Sequence, residues 1–259
     1  MHYLLSRASR AILKRLAQER TLCAFDFDGT LSPIVEHPGE AVMGGQTRIL
    51  LASLAALYPC IVVSGRGRAD VLGRLSGVQV ARVIGNHGAE TEATTRKPQR
   101  WLEQWKTSLE LELDALPGVW VEDKGLSMAV HYRQSPQKTE ARRRILAATR
   151  NLEHVRVVGG KQVVNLVVNR APDKGEALAT ERDRLRCNWV LYVGDDENDE
   201  DAFALDGNIV PVRVGRKQRS HARYYLRTQA EIDKLLELLV VLRRPAKPDP
   251  GPEGTLRYH

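Results

Sequence analysis

Chemistry in this sequence is concentrated at the ends of a few apolar runs. Ala24-Phe25-Asp26-Phe27-Asp28-Gly29-Thr30-Leu31 closes one such run with two carboxylates and a glycine. Ligands of open parallel sheets bind beyond the carboxyl ends of strands, so Asp26 and Asp28 stand where a site is expected. Buried carboxylates there are costly unless they bind a metal or perform chemistry. Taken alone, the two residues also fit a strand followed by an Asp-Gly turn. A second acidic run, Gly194-Asp195-Asp196-Glu197-Asn198-Asp199, follows the apolar stretch Trp189 to Val193. Oxygen-rich clusters suit a hard cation such as Mg²⁺, although an Asp-rich helix cap reads the same way in isolation. Between the two runs, Val62-Val63-Ser64-Gly65-Arg66 puts a hydroxyl and a guanidinium at another strand end. Asp173-Lys174-Gly175 puts an ammonium just before a helix.

These groups need a scaffold that gathers strand ends. Short apolar runs bounded by Gly, Pro or Asp alternate with helical patterns at both ends of the chain, which predicts a doubly wound α/β fold with a parallel sheet. The expected strands are Leu22 to Phe27, Cys60 to Val63, Val80 to Ile84, Trp189 to Val193 and Asn208 to Val212. The expected helices are Gln46 to Leu57, Arg68 to Leu75, Lys174 to Leu185 and Glu200 to Leu205. The middle differs: Trp105, Leu109, Leu113 and Leu116 recur at helical spacing, and Val119 to Glu122 and Leu126 to Arg133 then alternate with period two. A helix over Lys138 to Asn151 is followed by strand-like Val155 to Val158 and Gln162 to Val168, with Gly159-Gly160 as the expected hairpin turn. The pattern predicts a core domain from residues 1–92 and 169–245 with an inserted smaller α+β cap domain, 93–168. The end, Arg243 to His259, is rich in Pro, Gly and charge, and 246–259 reads as a flexible tail.

With 259 residues, 42% hydrophobic and 27% charged, the chain is large enough for a core with an insert. No apolar run approaches the roughly 20 residues of a membrane span, so no membrane partner is expected. The basic N-terminus, broken by Arg7, Arg10, Lys14 and Arg15, reads as an amphipathic helix with Leu5, Ala8, Ile12 and Leu16 on one face rather than a leader. Cys23, Cys60 and Cys187 lie beside apolar runs without paired spacing, which suits a reducing cytoplasm. The net charge of +7 is spread over helix faces and loops, and no aromatic platform accompanies it, so nucleic acid is not an expected partner.

Two carboxylates, a strand-end Ser, a Lys and an acidic cluster, in that order, resemble the signature of the haloacid-dehalogenase superfamily of phosphotransferases. The resemblance implies Asp26 as nucleophile, Asp28 as general acid and base, and Ser64 and Lys174 around the phosphoryl group. It implies Mg²⁺ on Asp26, the main-chain carbonyl of Asp28, and Asp195, supported by Asp196 or Asp199. The logic is physical too, since a phosphoryl group needs an in-line nucleophile, a metal and cations around its oxygens. More narrowly, Asp26 to Ile34, Val63 to Arg66, Gly85-Asn86-His87-Gly88-Ala89-Glu90, Gly118 to Lys124 and Val130 to Arg133 are similar to segments of the trehalose-6-phosphate phosphatase family. That likeness makes a small sugar phosphate the expected partner and Gly65, Arg66, His87, Glu122, Lys124, His131 and Arg133 its candidate contacts. His87 could instead anchor the hinge to the cap, which is expected to open and close near Glu90 and Asn169. Period two puts Glu122 with Lys124, and His131 with Arg133, on common faces. One departure bears on substrate: in Lys161 to Asn169, Asn165 stands where the family carries a sugar-binding Glu, and Val167 where it carries a basic residue. Asn still donates and accepts hydrogen bonds but is shorter and uncharged. Another glycosyl phosphate therefore stays open as the substrate, and a phosphomutase, which shares the motifs and a similar cap, is the alternative of a second class.

Overall fold

A computed structural model describes residues 1–92 and 100–244. The expected tail and the start of the expected cap, 93–99, lie outside the described residues. In chain order the first part runs β1 (His2–Tyr3), α1 (Arg10–Gln18), β2 (Thr21–Phe25), α2 (Gly45–Ala55), β3 (Cys60–Val63), α3 (Arg68–Arg74) and β4 (Arg82–Ile84). The middle contributes α4 (Arg100–Leu113), β5 (Trp120–Asp123), β6 (Ser127–His131), α5 (Lys138–Ala148), β7 (Val155–Gly160) and β8 (Val163–Val168). The chain then returns through α6 (Lys174–Arg184), β9 (Trp189–Gly194), α7 (Glu200–Phe203), β10 (Ile209–Val214), β11 (Tyr224–Leu226) and α8 (Glu231–Arg243).

The apolar runs are continuous rather than alternating because helices cover both faces of their sheet. Along β2, Cys23 and Phe25 face α1, α2 and α8, while Leu22 and Ala24 face α6 and α7. β9 splits the same way, with Leu191 and Val193 on one side and Val190 and Tyr192 on the other. Seven parallel strands result, ordered β1-β11-β10-β9-β2-β3-β4. This order sets the ends of β9, β2 and β3 side by side and thereby brings Asp195, Asp26 and Ser64 together, far apart in the chain as they are.

The insert has its own core. Four antiparallel strands, ordered β5-β6-β8-β7, pack Met128, Val130, Val164 and Leu166 against Trp105, Leu109 and Leu113 of α4 and Ile145 of α5. The doubly wound α/β core with a smaller inserted α+β layer is thus the fold that the sequence predicts.

Two local expectations are corrected, and three elements are added. The buried face of α1 is Leu13, Leu16 and Ala17, not the stripe through Leu5 and Ala8, because the helix begins only at Arg10. The hairpin between β7 and β8 turns at Lys161-Gln162, with Gln162 at φ +62, while Gly159 and Gly160 are still paired as strand residues. The edge strands β1 and β11, with two and three residues, fall below what periodicity resolves. The helix α8 buries Ile232, Leu235, Leu236 and Leu239 at helical spacing, a stripe that stands in the sequence.

Candidate active site

Immediately past β2, Asp26 is buried, and its amide donates to the Val193 carbonyl of β9 at 2.9 Å. Its Oδ1 accepts from Lys174 Nζ at 2.8 Å, and the same ammonium reaches Asp199 Oδ1 at 2.7 Å. Lys174 opens α6, whose N-cap is Asp173 in a reciprocal capping box with Glu176. Burial works against its charge, but Asp199 and Asp26 outweigh burial and keep the ammonium firmly protonated. Asp199 is saturated: Oδ1 also accepts from Tyr192 Oη at 2.7 Å, and Oδ2 accepts from the amides of Asp195 and Asp196 at 2.8 and 2.9 Å. Burial alone would raise Asp199, yet Lys174 and these donors hold it below the usual carboxylate range.

The three carboxylates Asp26, Asp195 and Asp199 offer oxygens all within 4.8 Å of one another. Burial pushes Asp26 well up despite Lys174, and burial together with Asp199 pushes Asp195 up to about 7 despite Lys161. Three buried carboxylates around one buried ammonium leave surplus negative charge, the environment that a divalent cation neutralises. Hard oxygen donors suit Mg²⁺, so the residues fit the expected ion. With Asp199 saturated, Asp26 and Asp195 are the carboxylates with lone pairs to give, and Asp199 orients the loop behind them. Asp196 is placed otherwise: Oδ1 caps the turn through the Glu197 amide at 2.8 Å, and Oδ2 accepts from the Lys161 amide of the cap at 2.8 Å. Gly29, at φ +80, passes so close that a Cβ there would lie 2.1 Å from Asp195 Oδ2. The glycine after Asp28 is therefore required by both the turn and the acidic cluster.

Asp28 is gripped by Arg66. Nε donates to Oδ2 at 2.6 Å and Nη2 to Oδ1 at 2.7 Å, the bidentate geometry of a guanidinium on a carboxylate. Nη1 goes to Asp70 Oδ2 at 2.8 Å and Nη2 also to the Pro38 carbonyl at 2.7 Å. Arg66 lines the cleft, but four of its five N–H groups donate to Asp28, Asp70 and Pro38. Ser64 is fully buried at the end of β3, and its Oγ accepts from the Arg66 amide at 3.2 Å. Gly65 leaves room for His87, whose Cε1 would sit 2.5 Å from a Cβ. His87 is buried, and neither ring nitrogen has a hydrogen-bond partner among the described residues. Burial, with Lys124 and Lys174 nearby, holds it well below the usual imidazole range and therefore neutral. Its neighbour Asn86 bonds the cap directly: it accepts from Ser127 Oγ at 2.5 Å and donates to Glu90 Oε2 at 2.7 Å.

The cap closes over these groups. Lys124 Nζ donates to the Gly65 carbonyl at 3.1 Å, Lys161 Nζ to Asp195, and Arg133 to the Val35 carbonyl and, at 3.2 Å, to the Lys161 carbonyl. Glu122 Oε2 bonds His131 Nε2 at 2.8 Å, so His131 pairs across the sheet with Glu122 rather than along its strand with Arg133. Burial raises Glu122, but His131 and Lys124 hold it below its usual range. Asn165 is buried on β8 between Ala129 and Val158 and still lines the cleft. The enclosed space is about 430 Å³, within the size range of small-ligand sites. Sequence reasoning passed over Lys161, Asp70, Tyr192 and Trp120. A lysine at a hairpin tip and a tyrosine inside an apolar strand were visible, but their partners lie in other elements.

A parallel sheet with paired aspartates beyond β2, a lysine at α6, an acidic loop beyond β9 and an antiparallel cap defines the haloacid-dehalogenase fold with an α/β cap. A family model described as trehalose-phosphatase matches residues 24–227, and the chain belongs to that family. The trehalose-phosphate phosphatase of Mycobacterium tuberculosis strain H37Rv is 35% identical over 209 residues, 73% of this chain and 52% of that protein. Its counterpart in Mycolicibacterium paratuberculosis is 36% identical over 205 residues, 73% of this chain and 52% of that one. The chain thus spans about half the length of these relatives. The C-terminal domain of Candida albicans trehalose-6-phosphate phosphatase has the same fold, with a TM-score of 0.78 at 22% identity over 90% of this chain and 96% of that one.

Proposed function

We propose that the chain hydrolyses trehalose 6-phosphate to trehalose and phosphate, carrying the phosphoryl group on Asp26, with Mg²⁺ as cofactor. The observation that carries this reading is the buried Asp26–Lys174–Asp199 centre beside Asp28, set at strand ends in a chain of the trehalose-phosphatase family. An Asp26 oxygen attacks phosphorus, the bond from phosphorus to the sugar oxygen breaks, and Asp28 supplies the proton that the leaving oxygen takes. Asp28 then accepts a proton from the water that attacks the aspartyl phosphate, and phosphate leaves as Asp26 regains its electron pair. Mg²⁺, held by Asp26, Asp195 and the Asp28 carbonyl with Asp196 and Asp199 behind them, would neutralise charge on the phosphoryl group. Lys174 and Ser64 hold the nucleophile's end of the site. We assign substrate choice to the cap, 93–168, through Glu122, Lys124 and Asn165, and control of the acid–base group to the core, 1–92 and 169–245.

Among the described residues no helix is long and apolar enough to cross a membrane. We keep the cytoplasm as the expected compartment on the strength of three free, buried cysteines. A second reading, a phosphatase for another glycosyl phosphate, is favoured by one observation, the uncharged Asn165 in the cleft. Phosphate release from trehalose 6-phosphate, glucose 6-phosphate and other glycosyl phosphates, with Mg²⁺ and with EDTA, tests the proposal. Preferential, EDTA-sensitive turnover of trehalose 6-phosphate is expected; turnover of another sugar phosphate alone would move the substrate, and none at all would end the reading.

The grip on Asp28 yields a separate expectation. Arg66→Ala should lower kcat by roughly 10- to 100-fold, since general acid–base catalysis is typically worth 10² to 10⁴ and Asp28 would lose its aim rather than vanish. KM should change less than about threefold, with Arg66→Lys in between because an ammonium cannot reproduce the bidentate fork. Steady-state kinetics decide: a raised KM at unchanged kcat would make Arg66 a substrate contact, not a positioning residue.

A further inference from the structure

Trp120 is a large apolar side chain placed where folding alone gives it little to do. It begins β5, an edge strand of the cap sheet, remains 43% exposed, and lines the same cleft as Asp26 and Asp28. Its indole is held on one side. His131 is its direct partner across β5 and β6, and the two rings stack with centroids 4.0 Å apart and planes 13° apart. His131 in turn is fixed by Glu122 Oε2 at 2.8 Å. The indole is therefore a plate with one face against an imidazole and much of the residue still open to the cleft.

Period two along this segment sets Trp120, Glu122 and Lys124 on one face. Lys124 touches the Gly65 carbonyl, beside buried Ser64, so it marks the end nearest the phosphoryl chemistry. Glu122 Oε2 comes within 3.9 Å of Lys124 Nζ, and Trp120 lies beyond Glu122 from that end, reached through His131. Lys124 and Glu122 thus stand together at the phosphoryl end, and the indole lies on the far side of them, where the ring remote from the phosphoryl group would lie. Aromatic faces attract the apolar C–H faces of sugar rings, and a Trp with one polar edge suits a wet cleft.

Resting on the sugar-phosphatase reading above, we propose that Trp120, backed by His131 and Glu122, is the platform for the sugar ring remote from the phosphoryl group and selects disaccharide phosphates over monosaccharide phosphates. His131 is then a support of this platform and not itself the sugar ligand. The platform also accounts for how the cleft recognises a second ring where Asn165 brings no charge.

The test compares native protein, Trp120→Ala and Trp120→Phe, all with Mg²⁺, on trehalose 6-phosphate, glucose 6-phosphate and p-nitrophenyl phosphate. Trp120→Ala should raise KM for trehalose 6-phosphate by about 10-fold, equivalent to about 1.4 kcal/mol, with kcat within about twofold. Trp120→Phe keeps a ring and should stay within about threefold of native. The two smaller substrates should not distinguish the three proteins. An unchanged KM for trehalose 6-phosphate in Trp120→Ala, or an equal loss on all three substrates, overturns the platform. If native protein rejects trehalose 6-phosphate, the substrate reading fails separately, and titrating tryptophan fluorescence with trehalose decides the platform. A sugar-dependent change present in native protein and absent from Trp120→Phe upholds it; no change in native protein overturns it.

Discussion

Lys174→Met is expected to unfold the protein about 10 °C earlier and to slow phosphate release by about a thousandfold or more. Its ammonium is wholly buried and bonds both Asp26 and Asp199. A methionine of similar length fills the space but leaves two buried carboxylates facing each other without a counter-charge. Breaking a buried pair by removing one partner costs about 3–5 kcal/mol, a large part of the 5–15 kcal/mol that holds a typical domain together. At about 2–4 °C per kcal/mol for a chain of this size, the shift is plain in a thermal melt. The rate falls for a different reason, since loss of one preorganised charge partner at a reacting centre commonly costs about 10² to 10³ and here the nucleophile also loses its anchor. Adding Asp199→Asn to Lys174→Met removes one of the two stranded charges and should recover part of the melting temperature but none of the rate. Native-like melting of Lys174→Met alone would mean that the buried centre is not held as described.

Asp26→Asn is expected to lose about 10⁴-fold or more in turnover while folding normally. The amide is nearly isosteric with the carboxylate, and Lys174 keeps Asp199, so the strand end and α6 stay in register. What disappears is the oxygen nucleophile, and removing a nucleophile in a covalent mechanism generally costs about 10⁴ to 10⁶. Steady-state phosphate release together with a melt separates the two effects. Retained activity would place the nucleophile elsewhere.

How much of this was legible beforehand follows from how local each signal is. β2 and β9 announce themselves because strands covered on both faces are apolar throughout, and the carboxylates beyond them stand out against that background. The insert is visible as a change of period, because a sheet covered by helices on one side alternates while the parallel core does not. What the sequence hides are partnerships across long separations. Arg66 lies 38 positions from the carboxylate it grips, and Lys174 lies 148 from Asp26. Only Asp70, four residues on, is a local partner; nothing local shows that Arg66 would also spend donors on Asp28 and Pro38. Period two aligned His131 with Arg133 along the strand, but cross-strand register brought His131 to Trp120 and Glu122, and register is decided between strands. The turn at Lys161-Gln162 was misplaced onto the neighbouring glycines because composition favours Gly-Gly there, whereas pairing to Val163 and Val164 keeps both glycines in the ladder.

The most direct test of the central claim is to quench native protein in acid during turnover of trehalose 6-phosphate with Mg²⁺ and to locate any phosphoryl group by peptide mass spectrometry. The account predicts a phosphoryl mass on the peptide that carries Asp26, absent from Asp26→Asn. Rapid phosphate release with no adduct at any quench time, or an adduct on another residue, would contradict it.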